Sequence, residues 1–142
     1  MVERLSYLAY LLGWKIVGAL PEKTAYSLFS KIASRMYKKN GKSVRRLRTN
    51  LSIVSPKLNS EELEALVEDG LESYMRYWCD TFRIHTWSHA RIEATVTLEN
   101  DHLLRDPMND GRGVIIALPH SGNWDHAGAY FCQQGIPLVT VA

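Results

Sequence analysis

The sequence predicts an α/β fold in which a helical amino-terminal region precedes a mixed or parallel sheet flanked by helices. Two patterns support this prediction: apolar residues recur at helical spacing up to about residue 82, and they follow strand patterns from residue 92 onward. The 142 residues and 46% hydrophobic content suit one ordinary domain. This composition excludes a disordered, collagen-like or disulfide-built protein.

The first apolar segment, residues 5–20, predicts that residues 1–20 form a membrane-interfacial helix. Lys15 interrupts the segment, which is also shorter than the roughly 20 apolar residues that a spanning helix needs. A secretory signal is disfavoured because Glu3 lies where positive charge is expected and no clear Ala-x-Ala cleavage site follows. The segment contains three aromatic residues of the kind that favour the headgroup region: Tyr7, Tyr10 and Trp14. A buried core helix is the alternative interpretation.

Residues 21–87 are predicted to be helical, basic at first and acidic later. Pro21 suits the first turn of a second helix that runs to about Lys39. Gly41 follows as the expected carboxyl-terminal stop of that helix. A third helix is expected to end at residues 55–56, Ser-Pro, because proline disfavours helical backbone at the residue before it.

A long helix is predicted from Asn59 to about Phe82. Asn59 and Glu62 have the spacing of a capping box, in which the two residues satisfy each other's backbone N–H groups at the start of a helix. Apolar residues then recur at helical spacing and predict a stripe that faces the core: Leu63, Leu66, Val67, Leu71, Tyr74, Met75 and Trp78. Packing is the expected role of this stripe.

The positive charge of the chain is concentrated in its amino-terminal part. Residues 1–57 contain 12 Lys and Arg residues against two acidic residues, and the remainder contains five against 13. Eight basic residues cluster in and after the second helix: Lys31, Arg35, Lys38, Lys39, Lys42, Arg45, Arg46 and Arg48. Such a cluster suits an anionic membrane surface, a phosphorylated ligand or nucleic acid, and a solvated helical face is the simplest alternative. Nucleic acid ranks below the first two, because no aromatic platform, zinc finger or RNP motif accompanies the cluster.

Residues 88–142 are predicted to begin an α/β catalytic core. Apolar residues alternate with Glu and Thr from 92 to 98, which is the period-two pattern of a half-buried strand. A glycine-rich turn at 111–113 precedes the short apolar run 114–118. A continuous apolar run of this length is typical of a strand covered on both faces.

A strand–helix–strand unit is predicted at the end of the chain. Residues 123–134 have a helical pattern closed by Gly135, and residues 138–141 have the pattern of a further strand. Parallel pairing with a right-handed crossover is expected for such a unit. Because the last strand is still rising at Ala142, we expect residues 1–142 to be one partial domain, the amino-terminal part of a longer protein.

The candidate active site is the loop that begins at His120. The loop follows the carboxyl end of a predicted strand, and this is where α/β folds bind their ligands. Asp125 falls in the first turn of the next helix, and the tight bend of Ser121 and Gly122 lets its carboxylate approach the imidazole. The helix dipole keeps that carboxylate ionised. The carboxylate accepts the N–H of one ring nitrogen of His120, which leaves the other ring nitrogen free to act as a base. If the substrate supplies a hydroxyl, no enzyme nucleophile is required: His120 removes the hydroxyl proton, and the hydroxyl oxygen attacks a thioester carbonyl directly.

The intervening residues are predicted to bind substrate: Ser121, Gly122, Asn123 and Trp124. The backbone N–H groups around Gly122, Asn123 and Trp124, or the Asn123 amide, are candidates to receive the developing oxyanion. Helix N-capping is a second role for Asn123, and the two roles are compatible.

Two other chemistries are less well supported. A nucleophilic Ser121 would need glycine two residues before and two residues after it, but Pro119 and Asn123 occupy those positions. His85 and His89 have the i, i+4 spacing of helical metal ligands, yet no third cluster supports them, so no metal is expected. Structural or surface roles are the expectation for these histidines.

The two cysteines, Cys79 and Cys132, form neither a CxxC pair nor a zinc pattern. They indicate a reducing compartment. We expect both to be small buried residues.

The string 113–125, GVIIALPHSGNWD, resembles the lysophospholipid and lipid A biosynthesis acyltransferase superfamily, whose signature is His, four residues, then Asp or Glu. Further similarity lies in residues 48–51 and 74–78, followed by Phe82. With Asp125, the motif is most similar to that of actinobacterial phosphatidylinositol mannoside acyltransferases. Lipid A enzymes more often carry Glu at this position and are the second choice.

The resemblance implies a glycerol-3-phosphate-acyltransferase-like fold and transfer of a fatty acyl group from acyl-CoA to a glycolipid hydroxyl. By that likeness His120 is the catalytic base and Asp125 the acidic member of its motif. The implied partners are acyl-CoA, a glycolipid acceptor and an anionic membrane surface, without nucleic acid. Acyl-CoA is consumed, so no further cofactor is implied. The implied location is peripheral, at the cytoplasmic face of the plasma (inner) membrane. The competing interpretation is a catalytically inactive membrane-binding fragment.

Overall fold

Helices make up the regular structure of the residues that the computed structural model describes, 2–119 and 121–139. The chain divides into two units, Met1–His85 (unit 1) and Thr86–Ala142 (unit 2). No strand occurs within the two described ranges. The predicted α/β fold, with its mixed or parallel sheet, is therefore wrong for this part of the chain.

Unit 1 contains four helices in the described ranges: α1 (Val2–Ala19), α2 (Glu22–Lys39), α3 (Lys42–Val54) and α4 (Ser60–Arg83). Their positions confirm the helices predicted for the amino-terminal region. The longest of them, α4, contacts each of the other three. It is the central element of unit 1.

The junction between α2 and α3 differs from the prediction. Asn40, with φ of 46°, adopts the left-handed conformation that ends α2, and its N–H donates to the carbonyl oxygens of Met36 and Tyr37. Gly41 is extended and precedes α3 as its N-cap. Asparagine tolerates the left-handed region better than most residues, so the helix ends one residue before the glycine.

The predicted capping box at the start of α4 is confirmed. Asn59 Oδ1 accepts the N–H of Glu62 at 3.0 Å, and Glu62 Oε2 accepts the N–H of Asn59 at 2.8 Å. Two backbone donors that would otherwise lack partners are thereby satisfied. At the end of the preceding helix, Ser55 is the C-cap of α3, as its position before proline predicts.

Two apolar clusters form the core of unit 1. The first has four buried residues: Val17, Ala25, Phe29 and Cys79. The second also has four: Ala33, Val44, Val67 and Leu71. Most of the predicted stripe of α4 lies in or against these clusters, but Tyr74 is 50% exposed and was wrongly assigned to the core. Its ring instead meets Trp78 edge to face, with centroids 6.3 Å apart.

Unit 2 contains three α-helices in the described ranges: α5 (His89–Ala94), α6 (His102–Asn109) and α7 (Trp124–Gln133). Ile92 on α5 is its buried apolar residue, and α5 contacts α7. The predicted helix over 123–134 is confirmed as α7. It ends before Gly135, whose φ of 73° makes glycine the residue best suited to this position.

The three predicted strands are not observed. The first residues of the alternating segment 92–98 lie in α5. Ser88 is the N-cap of this helix, and its side chain accepts the N–H of Arg91. Residues 114–118 have no regular structure, and Ile115 is fully exposed. Residues 136–139 also lack regular structure, and residues 140–142 lie outside the described residues. A strand is stabilised by hydrogen bonds to a neighbouring strand, and the described residues supply none.

The two cysteines have different environments. Cys79 is buried in the core, as predicted, and burial raises the pKa of its thiol to about 11. Cys132 is exposed, which contradicts the prediction that both are buried. Its place on α7 leaves the side chain without a covering element among the described residues.

Candidate active site

The predicted base, His120, lies outside the described residues. The residues on either side of it are described. Ser121 donates its backbone N–H to the carbonyl oxygen of Pro119 at 2.8 Å. Gly122 has φ of 67°, a conformation that L side chains rarely adopt. The chain therefore bends at Gly122, where the sequence predicts a tight turn.

Asn123 caps α7. Its side-chain oxygen accepts the backbone N–H of His126 at 3.0 Å, which satisfies one of the unpaired donors of the first helical turn. The predicted capping role is confirmed. The predicted contribution of the Asn123 amide to an oxyanion site stays a prediction, because no ligand is present.

Asp125 lies in the first turn of α7, directly after Trp124, and both side chains are half-buried. A carboxylate in the first turn is stabilised by the partial positive charge of the helix N-terminus. The order predicted from the sequence, a bend followed by a helix that carries the carboxylate, is therefore present. The predicted catalytic pairing of Asp125 with His120 stays a prediction.

A cluster that sequence reasoning missed joins α5 to the first turn of α7. His126 Nε2 lies 3.0 Å from Thr95 Oγ1, and the imidazole meets the indole of Trp87 edge to face at 5.0 Å between centroids. The guanidinium of Arg91 stacks over the same indole at 4.3 Å. We call Trp87, Arg91, Thr95 and His126 the His126 cluster. No spacing rule joins residues 31 positions apart, so the sequence pattern carried no signal for it.

The basic cluster of α2 and α3 is largely solvent-exposed, with one exception. Arg48 is half-buried and donates through Nη2 to Glu64 Oε2 at 2.8 Å, and Tyr37 donates to the same oxygen at 2.9 Å. The hydrogen bonds from Arg48 and Tyr37 lower the pKa of Glu64. Arg48 therefore joins α3 to α4, and it is not an exposed charge for a ligand as the sequence suggested.

The apolar residues of α1 are mostly exposed. Leu5 is 71% exposed and Leu8 59%, and among the described side chains of α1 only Val17 is buried. This exposure argues against the alternative of a buried core helix. Among the described residues, no helix combines the length and apolar character that crossing a bilayer requires. Association of α1 with a membrane surface stays a prediction.

Neither of the two depressions found on unit 1 contains a predicted site residue. One, of about 480 Å³, is open and runs along α2 past Lys23 and Lys31. The other, of about 130 Å³, lies between α2 and α4 beside Tyr26 and Arg76. In the described ranges, no three His, Cys, Asp or Glu side chains come together in a way that would hold a metal ion.

The sequence matches the model of the bacterial lipid A biosynthesis acyltransferase family over residues 1–142. It is 39% identical over 136 residues to a protein of Mycolicibacterium smegmatis named phosphatidylinositol mannoside acyltransferase, and the match covers 95% of this chain and 44% of that relative. A Mycobacterium tuberculosis protein of the same name is 36% identical over 137 residues, with coverages of 94% and 42%. The chain thus spans less than half the length of these relatives. No solved structure matches significantly. The resemblance carried by residues 113–125 is confirmed, and the chain belongs to the bacterial lipid A biosynthesis acyltransferase family.

Proposed function

We propose that this chain supplies the general base of an acyltransferase that moves a fatty acyl group from acyl-CoA to a hydroxyl of phosphatidylinositol mannoside. The observation that carries the proposal is that Asp125, five positions after His120 in the sequence, lies in the first turn of the capped helix α7, in a chain of this family. Relatives whose matches cover 95% and 94% of this chain are named for this acceptor.

The reaction needs no nucleophile on the enzyme. His120 takes the proton of the acceptor hydroxyl as its oxygen attacks the thioester carbonyl, and a C–O bond forms. The tetrahedral intermediate then collapses with cleavage of the C–S bond, and the leaving thiolate takes the proton from the imidazolium of His120. Asp125 orients the imidazole and stabilises its charged form.

The start of α7 suits this chemistry, and Asn123, Trp124 and Asp125 are half-buried there. Backbone N–H groups at the start of α7 point out of the helix N-terminus, where negative charge is favoured. Gly122 and Trp124 flank Asn123 there and are proposed to stabilise the oxyanion. Ser121 lies in the bend before them and is proposed to contact the acceptor.

The amino-terminal unit is proposed to bring the enzyme to its lipid substrate. Exposed apolar residues on α1 and exposed Lys and Arg residues on α2 and α3 offer contacts for acyl chains and anionic headgroups. The proposed location is the cytoplasmic face of the inner membrane. The same surface also supports a second candidate function, an inactive membrane-binding fragment, in which His120 has no role.

Release of CoA thiol from palmitoyl-CoA tests the proposal. The chain is assayed with a mannosylated phosphatidylinositol, with a Kdo2-lipid acceptor, and with no acceptor, and the M. smegmatis relative serves as the positive control. Thiol release that needs the mannosylated acceptor supports the proposal. Release only with the Kdo2-lipid moves the acceptor to lipid A precursors, and release without acceptor indicates a thioesterase. Vesicle binding without any release supports the membrane-binding fragment.

A further inference from the structure

His126 contacts two elements at once. Its backbone N–H donates to the Asn123 cap of α7, and its side chain reaches Thr95 and Trp87 of the preceding helical region. The same residue is therefore tied to the start of α7 and to α5.

The contact with Thr95 is directional. The Thr95 hydroxyl donates to the carbonyl oxygen of Arg91 at 2.8 Å, and a hydroxyl has one hydrogen. The same hydroxyl lies 3.2 Å from the carbonyl oxygen of Ile92, and the donor in its contact with His126 depends on the imidazole tautomer. The Nε2–H tautomer leaves the hydroxyl hydrogen of Thr95 for a backbone carbonyl oxygen. The ring is held edge to face against Trp87, and Arg91 stacks over that indole. These contacts fix the orientation of the imidazole and favour the Nε2–H tautomer.

Asp125 is the neighbour of His126 in the first turn. Successive helical side chains point about 100° apart, so fixing His126 toward α5 also fixes the direction in which the Asp125 side chain leaves the helix. A hydrogen bond at the exposed Thr95 contributes little stability but restricts rotation of the helix start.

We infer that His126 is a positioning residue, which acts with Thr95 and Trp87 to fix the first turn of α7 and hence the direction of the Asp125 carboxylate. The inference rests on the proposed function, in which Asp125 orients the base. Small misplacements of such groups reduce turnover by large factors, so the effect is expected in kcat and not in KM.

Thr95→Val is the first variant, because it removes the hydroxyl without changing the branched shape. Thr97→Val is its matched control, since Thr97 is exposed in the same segment. His126→Phe keeps a ring against Trp87 and loses the hydrogen bond, and Thr95→Ser keeps the hydroxyl. Two readouts do not depend on activity: amide hydrogen exchange at His126 and Ala127, and the ¹⁵N spectrum of the His126 imidazole at about pH 8, where an ordinary imidazole is neutral.

Thr95→Val and His126→Phe are expected to accelerate both amide exchanges several-fold, while Thr97→Val and Thr95→Ser leave them unchanged. The unmutated chain is expected to show the Nε2–H tautomer, and Thr95→Val is expected to mix the tautomers. In acyl transfer, Thr95→Val lowers kcat between about ten- and a hundredfold at unchanged KM, and adding His126→Phe lowers it no further.

The outcomes separate this inference from the proposed function. Absence of acyl transfer that depends on His120 refutes the proposed function, and exchange and tautomer data then decide alone whether His126 fixes α7. Thr95→Val that behaves like Thr97→Val in exchange and tautomer overturns the inference. So does a normal kcat in Thr95→Val when the unmutated protein is active.

Discussion

The guanidinium of Arg83, near the end of α4, donates a hydrogen bond of 2.7 Å to the backbone carbonyl oxygen of Val17. The same nitrogen donates to the carbonyl oxygen of Leu20 at 2.6 Å. Both acceptors lie at the carboxyl end of α1, where carbonyl groups lack partners within the helix and the helix dipole favours positive charge. Arg83 is buried at 7% exposure. It therefore anchors α1 to the core of unit 1.

Arg83→Met is predicted to lower the free energy of unfolding by about 2–4 kcal/mol, because it leaves buried carbonyl groups without a charged donor. Urea unfolding followed by circular dichroism measures the change. Arg46→Met, at an exposed position on α3, serves as the control and is expected to stay within about 0.5 kcal/mol of the unmutated chain. Equal effects of the two variants would contradict the anchoring role.

Tyr26 gives the chain a predicted sensitivity to alkaline pH. Burial, with the 2.6 Å hydrogen bond that it donates to Asp80, raises the pKa of Tyr26 to about 12. The folded state thus holds this proton more tightly than the unfolded state, in which the pKa is about 10. The contribution of this difference in pKa to the free energy of unfolding is fully present below about pH 10, and it is lost as the pH rises towards about 12. Unfolding measured from pH 9 to 12 should show a smaller loss in Tyr26→Phe, whereas Tyr7→Phe, on the exposed part of α1, should match the unmutated chain.

Two substitutions of Asn123 separate its capping of α7 from its proposed role in stabilising the oxyanion. Asn123→Asp keeps an oxygen that caps α7 but loses the amide donor, and Asn123→Ala loses both. The alanine variant is predicted to cost about 1 kcal/mol of stability, and the aspartate variant close to none. If the amide also stabilises the oxyanion, kcat falls in both variants by roughly 10²-fold or more. Full kcat in a stable Asn123→Asp would restrict Asn123 to capping.

The exposed apolar surface of α1 is predicted to bind vesicles. Leu8→Glu, which replaces a side chain that is 59% exposed, should weaken binding to phosphatidylcholine–phosphatidylglycerol vesicles roughly ten- to a hundredfold, the contribution of one buried leucine. Ser6→Glu adds the same charge to the same helix without removing an apolar group. Vesicle flotation in which both variants bind equally would show that charge, and not the leucine contact, governs association.

The helices were predictable because their signals are local. Asn59 with Glu62 defines the start of α4, and the bend before Asn123 defines the start of α7, using residues that are close in sequence. The three predicted strands were wrong because local patterns were used to predict structure that depends on distant residues. Residues 114–118 are apolar enough for a buried strand, but a strand also depends on a partner, which no local pattern specifies.

In the candidate site too, local contacts were predictable from the sequence and contacts between distant residues were not. Capping by Asn123 follows from its place before α7, whereas the contact of His126 with Thr95 joins the first turn of α7 to the C-cap of α5. The pairing of Arg48 with Glu64 is also non-local, and it removes one residue from the basic cluster that composition alone suggests. Charge counted along the sequence therefore overstates the surface available to a ligand.

The most direct test of the account is the acylated product formed by a chimera in which this chain replaces the matching part of the M. smegmatis relative. Mass spectrometry would quantify acylated phosphatidylinositol mannoside formed from palmitoyl-CoA by the chimera, by its His120→Ala variant and by a His102→Ala control at an exposed position on α6. The account predicts product from the chimera and from the control, and a loss of about 10²- to 10⁴-fold in His120→Ala. Equal product from all three would contradict the assignment of His120 as the base.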